Sequence, residues 1–360
     1  MTPPFPGRIN RVREKIATQG LDAALITTPE NVRYLSGFTG SSGFVLVSSA
    51  TAFFITDFRY KSQAAQETHG LEVVILKKTL VDEVARIAGE TGLKRVGLEA
   101  KNVTLDLHDR VIAAMPDAEL IAVIDLVEEF RIVKDAGELD KMREAIRRAE
   151  SSLTALLPRL KPGLPEREFA LMLEEEVRRA GARKIPFDTI VASGLRGALP
   201  HGVASDKKLE SGEMITIDFG AEAGGYFSDM TRTVFLGSSP TAKQQEIHDT
   251  VRKAQDAAIA AVKPGVPMVD IDAAARKVIV DAGYGDYFGH GTGHGVGLAV
   301  HEQPNASPQG KGEAREGMVF TIEPGIYIPD LGGVRIEEMV LVTATGCEVL
   351  TSFPRELRCL

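Results

Sequence analysis

The stretch Phe288-Gly-His-Gly-Thr-Gly-His-Gly-Val-Gly-Leu-Ala-Val-His301 sets the terms for the rest of the chain. It carries three of the seven histidines, His290, His294 and His301, within twelve residues and spaces them with glycines. His290 and His294 stand four apart, but the surrounding glycines disfavour a helix, so this is not the His-Glu-x-x-His pattern of helical zinc sites.

Two acidic hairpins flank this stretch. In the first, residues 214–220 read as a strand, 221–225 as a turn and 226–236 as the return. A turn centred between Ala223 and Gly224 puts Asp218 opposite Asp229, with Cβ atoms about 5 Å apart. In the second, residues 319–323 and 334–342 read as strands around a Gly/Pro-rich loop over 324–333. A loop centred on Asp330 puts Glu323 opposite Glu337. Like charges facing each other are destabilising, so each pair calls for something positive.

A lone carboxylate in a strand usually faces solvent or pairs with an arginine, and Arg232 and Arg335 are available. Two carboxylate pairs around a histidine cluster point elsewhere. Four clustered carboxylates force protonation unless cations are present, and two divalent ions neutralise them. The expected ligands are Asp218, Asp229, His294, Glu323 and Glu337. An oxygen-rich set with one imidazole suits Mn²⁺ and admits Co²⁺ or Zn²⁺, and the absence of cysteine argues against structural zinc. Two metals about 3.5–4 Å apart can hold a bridging water as hydroxide at neutral pH, which is the nucleophile of a hydrolase.

The totals agree with an ordinary two-domain protein. The 360 residues include 44% hydrophobic side chains, enough for sizeable cores. A net charge of −8 argues against a nucleic-acid partner. No apolar run reaches the roughly 18 residues of a membrane span, and the start of the chain lacks the apolar core of a signal peptide. Cys347 and Cys359 lack metal-ligand spacing and read as free thiols, so a cytoplasmic location is expected. No window matches Gly-x-Gly-x-x-Gly, and Asp218-Phe-Gly220 lacks the loop that would make it a kinase triplet.

Towards the N-terminus, helix-like and strand-like runs alternate. Residues 8–19 read as an amphipathic helix, 21–27 as a buried strand, 31–43 as a Gly/Ser-rich loop, and 44–48 and 52–56 as strands joined by a turn. Asp57 is placed to cap the next helix, and further strands are expected at 71–76 and 95–99 with a helix between them. This pattern predicts an α/β domain with a mostly parallel sheet. A long helix from Ala136 to about Leu160 and a second over 166–180 follow.

From there the chain repeats. Lys161-Pro-Gly-Leu-Pro165 recurs as Lys263-Pro-Gly-Val-Pro267, an offset of 102 residues, and Ala180-Gly181 recurs as Ala282-Gly283 at the same offset. Two α-β-β halves related by a pseudo-twofold axis are expected over roughly 136–345, able to form a site where they meet.

With these residues assembled, the sequence resembles the pita-bread metallopeptidases, the Xaa-Pro aminopeptidases (aminopeptidase P) and prolidases. The resemblance rests on Leu199-Pro-His-Gly202, Thr216-Ile-Asp-Phe-Gly220, Ser228-Asp-Met-Thr-Arg-Thr233, Gly289-His-Gly-Thr-Gly-His294, Thr321-Ile-Glu-Pro-Gly325 and Val334-Arg-Ile-Glu-Glu338, in family order. It continues at Tyr34-Leu-Ser-Gly-Phe-Thr-Gly40 and Thr56-Asp-Phe-Arg-Tyr60. It implies an α/β N-terminal domain of the creatinase/prolidase type over 1–132 and an α+β pita-bread catalytic domain over 133–360.

By the same resemblance Asp218 chelates one metal, Asp229 and Glu337 bridge both, and His294 and Glu323 sit on the other. His201 and His301 hydrogen-bond the scissile carbonyl, Glu323 shuttles a proton, His290 borders the pocket for the proline ring, and Arg335 orients a ligand carboxylate. Intact metal positions argue against the metal-free relatives such as creatinase. Many prolidases carry an Arg four residues beyond the counterpart of His301, where this chain has Asn305. That difference favours an Xaa-Pro aminopeptidase acting on a proline-containing oligopeptide, with prolidase and a non-catalytic peptide-binding protein as alternatives. The resemblance also implies a homodimer.

Overall fold

The computed structural model describes residues 4–360. The chain folds as two units, the first ending at Arg131 and the second running Ile132–Leu360. The first unit contains α1 (Phe5–Thr18), β1 (Ala23–Ile26), α2 (Pro29–Ser36), β2 (Phe44–Ser48), β3 (Ala52–Thr56), α3 (Lys61–Glu67), β4 (Glu72–Ile75), α4 (Leu80–Thr91), β5 (Arg95–Glu99), α5 (Leu105–Ala114), β6 (Glu119–Val123) and α6 (Glu128–Arg131).

Its strands form one sheet in the order β4-β3-β2-β1-β5-β6. The sheet is mixed, because β2 runs antiparallel to both of its neighbours while the other pairings are parallel. The short turn between β2 and β3 permits nothing else, since a parallel pair needs a crossover of a dozen or more residues. Asp57 caps as expected, its side chain accepting from the Arg59 N–H. Residues 31–43 are not all loop: α2 covers the first part, with Pro29 in its opening turn and Gly37 closing it at φ +83°. That Pro-start, Gly-stop pattern is a helix signal that the serines and glycines farther along conceal.

The second unit contains α7 (Ala136–Leu156), α8 (Glu166–Arg179), β7 (Ile190–Ser193), β8 (Glu213–Phe219), β9 (Glu222–Ala223), β10 (Tyr226–Phe227), β11 (Met230–Leu236), α9 (Ala242–Ala261), α10 (Met268–Asp281), β12 (Gly293–Gly295), β13 (Glu302–Ala306), β14 (Val319–Ile322), β15 (Gly325–Ile328), β16 (Gly332–Arg335), β17 (Glu338–Val342) and β18 (Cys347–Val349). Asp135 and Glu138 close a capping box at the start of α7. Met142, Ala145, Ile146, Ala149, Leu153 and Leu156 then bury one stripe of that helix at helical spacing. Burying a side chain such as Phe169 or Phe320, both fully enclosed, contributes about 1.5–3 kcal/mol.

The duplication is visible in three dimensions. The helices α8 and α10 are related by the 102-residue offset at both ends. Strands lie in the order β11-β8-β7 in one half and β17-β14-β12 in the other, antiparallel throughout. In each half the glycine of the Pro-Gly turn takes positive φ, Gly163 at +88° and Gly265 at +82°. The Gly163 N–H donates to the carbonyl of Leu209, and the Gly265 N–H to that of Ala314. This is the pita-bread fold. No helix among the described residues is long and apolar enough to cross a membrane.

One buried ion pair ties the C-terminal tail to this scaffold. Arg232 and Glu338, each about 2% exposed, meet at 2.8 Å, and Arg232 also donates to the carbonyls of Glu337, Phe353 and Pro354. Breaking a buried pair leaves an uncompensated charge. Arg232→Met is therefore expected to lower unfolding free energy by about 3–5 kcal/mol in urea denaturation. A loss below about 1 kcal/mol would mean that this pair is not holding the tail.

Candidate metal centre

The hairpin β8–β11 delivers the first two carboxylates, in a register that differs from expectation. Asp218 pairs with Thr231, not with Asp229. The turn centres between Gly224 and Gly225, which take φ of +56° and +91°, the left-handed pair that a tight hairpin requires and that Ala223 would resist. Asp229 thus lies two residues before the partner of Asp218. The two carboxylates are diagonal neighbours rather than direct ones.

The second hairpin has the expected register. Val319 faces Leu341 and Ile322 faces Glu338 on one side, and Gly325 faces Arg335 on the other. Glu323 and Glu337 fall opposite each other in the gap between these two ladders. Residues 324–333, expected as a loop, mostly continue the hairpin as β15 and the start of β16. Their glycines serve close packing: a Cβ on Gly333 would lie 2.1 Å from the carbonyl oxygen of Gly197.

His294 reaches the same place from β12, between two glycines that the packing demands. A Cβ on Gly293 would stand 1.8 Å from the oxygen of Thr321, and one on Gly295 2.1 Å from that of Gln303. His294 Nδ1 lies 3.1 Å from the Gly295 carbonyl. A carbonyl only accepts, so Nδ1 carries a proton and Nε2 faces the carboxylates; burial opposes it, but the hydrogen bond and charge of Glu323 raise the imidazole above its ordinary range. That Nε2 is 3.3 Å from Glu323 Oε1 and 3.7 Å from Asp229 Oδ2. Asp229, His294 and Glu337 each offer a ligand atom within 4.8 Å of the others.

A cavity of about 470 Å³ is lined by all five expected ligands and by His201, His290, His301 and Arg335. His301 stacks obliquely on His294, ring centres 4.3 Å apart. Arg335 donates to Asp218 Oδ2 at 2.7 Å, to the Tyr327 hydroxyl at 3.0 Å and to Thr231 Oγ1 at 3.1 Å. The Thr231 hydroxyl donates in turn to Glu337 Oε2 at 2.7 Å. The partners that sequence offered are thereby divided: Arg335 holds Asp218, whereas Arg232 is engaged by Glu338.

Electrostatics show a site short of positive charge. Burial, then the charges of Glu337, Asp218 and Glu323, push the Asp229 carboxyl well above its ordinary range. Burial and the charges of Glu323 and Asp218 do the same to Glu337. Asp218 is also raised by burial, although Arg335 opposes the shift. Burial would raise Glu323 too, but the hydrogen bond and charge of His294 outweigh it and hold it at about 2. Asp218 Oδ1 is buried with no hydrogen-bond partner. An orphaned carboxylate oxygen beside acids driven toward protonation, with an imidazole nitrogen aimed among them, fits divalent cations.

With this geometry in hand, comparison with known proteins decides the family. Residues 140–344 match the Metallopeptidase family M24, and residues 8–133 match the Creatinase/Prolidase N-terminal domain. The chain belongs to metallopeptidase family M24. A solved Xaa-Pro dipeptidase from Bacillus anthracis superposes with a TM-score of 0.96 at 42% identity, covering 99% of this chain and 100% of that one. An X-Pro aminopeptidase from Thermotoga maritima superposes at 0.90 with 41% identity, covering 96% and 100%. An Xaa-Pro dipeptidase of Pyrococcus horikoshii is 39% identical over 97% of this chain and 98% of its own.

Family M24 accounts for the metal-seeking set, and the structure adds residues that sequence reading missed. Tyr327 bridges Arg335 and His290, whose Nε2 lies 2.8 Å from the Tyr327 hydroxyl. Its neighbours in sequence conceal it, because they are the glycines and prolines of an apparent loop. The paired Asp272 and Arg276 fix the segment before His294: Asp272 accepts from the Thr292 N–H and hydroxyl, and Arg276 donates to the carbonyls of Phe288 and His290. Their spacing of four on a helix is the only signal available in the sequence.

A pH dependence follows. Asp229 and Glu337 have folded-state values above their unfolded ones, so the metal-free protein binds extra protons. Their contribution to stability is fully present below the ordinary carboxylate range, about 4, and is lost as pH rises through the raised values. Metal-free protein should therefore lose thermal stability from about pH 4 upward. Adding Mn²⁺ near neutral pH should restore it with proton release, measurable by calorimetry in buffers of different ionisation enthalpy. Binding without proton release or without a rise in Tm would contradict this account.

Proposed function

We propose that the chain is a cytoplasmic, homodimeric Xaa-Pro dipeptidase whose catalytic residues all lie within 133–360. The observation that carries the hydrolytic reading is the convergence of His294, Asp218, Asp229, Glu323 and Glu337 on one cavity that also receives His201 and His301. The preference for dipeptides rests on the relatives. Proteins named Xaa-Pro dipeptidase match this chain over nearly its whole length, which outweighs the aminopeptidase reading drawn from Asn305. Asn305 itself lines the cavity and offers an amide donor to a substrate carboxylate.

In this reading the five ligands would hold two divalent ions, Mn²⁺ by preference, which would supply an activated water; Asp229 and Glu337 would serve both ions, Asp218 one, and His294 and Glu323 the other. Burial, then the neighbouring His294, lowers the His301 imidazole below its ordinary range, so at neutral pH it is an uncharged donor able to hydrogen-bond the scissile carbonyl. His201 takes the same role from the other half of the fold. Glu323, ionised at neutral pH, accepts a proton from the attacking water and returns it to the departing proline nitrogen. His290, packed edge-on against Phe288 and held by Tyr327, borders the ring of the proline.

Three outcomes test this. Xaa-Pro should be cleaved with higher kcat/KM than Xaa-Pro-Yaa, and the reverse ranking would restore the aminopeptidase alternative. Chelation should abolish activity and Mn²⁺ should restore it, while peptide binding without turnover in reconstituted protein would identify a non-catalytic relative. Glu323→Gln should lower kcat by about 10²–10⁴-fold.

A further inference from the structure

His201 occupies an exposed turn, in contrast to the proposed metal ligands, which lie in strands or just beyond their ends. It follows the 3₁₀ turn Gly194–Ala198 and precedes the run into β8. Exposed turns of this kind are ordinarily mobile, yet a group that must meet a carbonyl oxygen has to be placed to within a fraction of an ångström.

The polar contacts around this turn converge on one side chain. Glu166, the first residue of α8, is fully buried. Its Oε1 accepts from both the N–H and the hydroxyl of Ser193, each at 2.8 Å. Its Oε2 accepts from the N–H and hydroxyl of Ser205, at 3.1 and 2.7 Å, and from Arg196. Ser193 and Ser205 bracket the His201 turn, so a single carboxylate clasps its two ends. Arg196 closes the loop from within by donating to the Val203 carbonyl at 2.8 Å. From the other side, Arg335 donates to the Pro200 carbonyl at 3.1 Å, adjacent to His201. The duplicated half solves the same problem on the equivalent helix, where the paired Asp272 and Arg276 hold the backbone that carries His290.

We propose that Glu166 is a positioning residue for catalysis: it acts through the Ser193–Arg196–Ser205 clasp to hold His201 against the substrate carbonyl, without itself meeting substrate or metal. A buried carboxylate is normally costly, and five donors from one turn are what make it tolerable here. The site chemistry invoked for His201 rests on the dipeptidase reading above; the clasp itself does not.

Glu166→Gln preserves shape but removes the charge and leaves one oxygen replaced by a donor facing donors. Hydrogen exchange read by mass spectrometry should then show amides of 194–205 exchanging at least about tenfold faster, with protection elsewhere unchanged and metal content kept. In kinetics, kcat should fall about tenfold or more with KM nearly constant. Introduced into a His201→Ala background, Glu166→Gln should change kcat less than about twofold. Ser205→Ala, a milder lesion, should show the same pattern at smaller amplitude and serves if Glu166→Gln does not fold. Faster exchange spread over the whole unit, loss of metal, or full additivity with His201→Ala would overturn the proposal. A variant that shows the local exchange effect in a protein whose wild type has no Xaa-Pro turnover would instead refute the dipeptidase reading and leave the clasp standing.

Discussion

The enclosure of four carboxylates around one cavity is the constraint from which the rest of the second unit follows. In water such a group would cost little. Inside a protein each ionised member raises the free energy of the others, and desolvation compounds the repulsion. Only fixed positive charge makes the arrangement stable in its ionised form. The backbone accommodates three of these acids where its ladders stop: Glu323 and Glu337 lie between two paired segments, and Asp229 lies between β10 and β11. A residue in a continuous ladder has its direction set by the pleat. A residue at a break can turn its side chain toward a common point.

The duplicated architecture explains how so many acids reach one point. Each half alone presents a sheet with one helical face covered, and neither half contains the full set. Asp218 and Asp229 come from the first half; His294, Glu323 and Glu337 come from the second. Arg335 crosses between them, donating to Asp218 and to the carbonyl of Pro200. A site assembled across the junction of two similar halves needs both to be rigid. The glycines around His294 and the close approach of Gly333 to Gly197 provide that by bringing backbones into direct contact.

Much of this is legible in the sequence, and the boundary has physical causes. Asp330 as the centre of the second hairpin can be read because Pro and Gly localise the turn. The turn of the first hairpin sits one residue later than expected, which moves the register by two, since Ala223-Gly224 and Gly224-Gly225 are both plausible turns until the requirement for two left-handed residues is applied. Composition misleads twice: residues 31–43 and 324–333 contain loop-forming residues, yet parts of both are regular. In the second case the glycines answer packing against Gly194 and Gly197, a long-range cause that no local pattern records. Tyr327, Asp272 and Glu166 stay invisible for a related reason. They act by hydrogen bonds across the fold, and an isolated acid on a helix looks like any solvated one.

The chain's own cations do not complete the site. Arg335 is engaged through all three of its nitrogens, with Asp218, Tyr327, Thr231 and Pro200 as acceptors, and a guanidinium in that planar fork cannot also face the opposite side of Asp218. Asp218 Oδ1 is left without a donor for this reason. His294 closes only part of the deficit: the Gly295 carbonyl engages its Nδ1, and its other nitrogen, drawn to Glu323, brings a single charge to a site of four acids. Adding a second arginine would satisfy the charge but would fill the cavity and leave no open position for water. Compact divalent ions deliver more charge per unit of volume and keep exchangeable coordination positions. The same deficit of positive charge that makes the metal-free site unstable thus leaves room for chemistry at its centre.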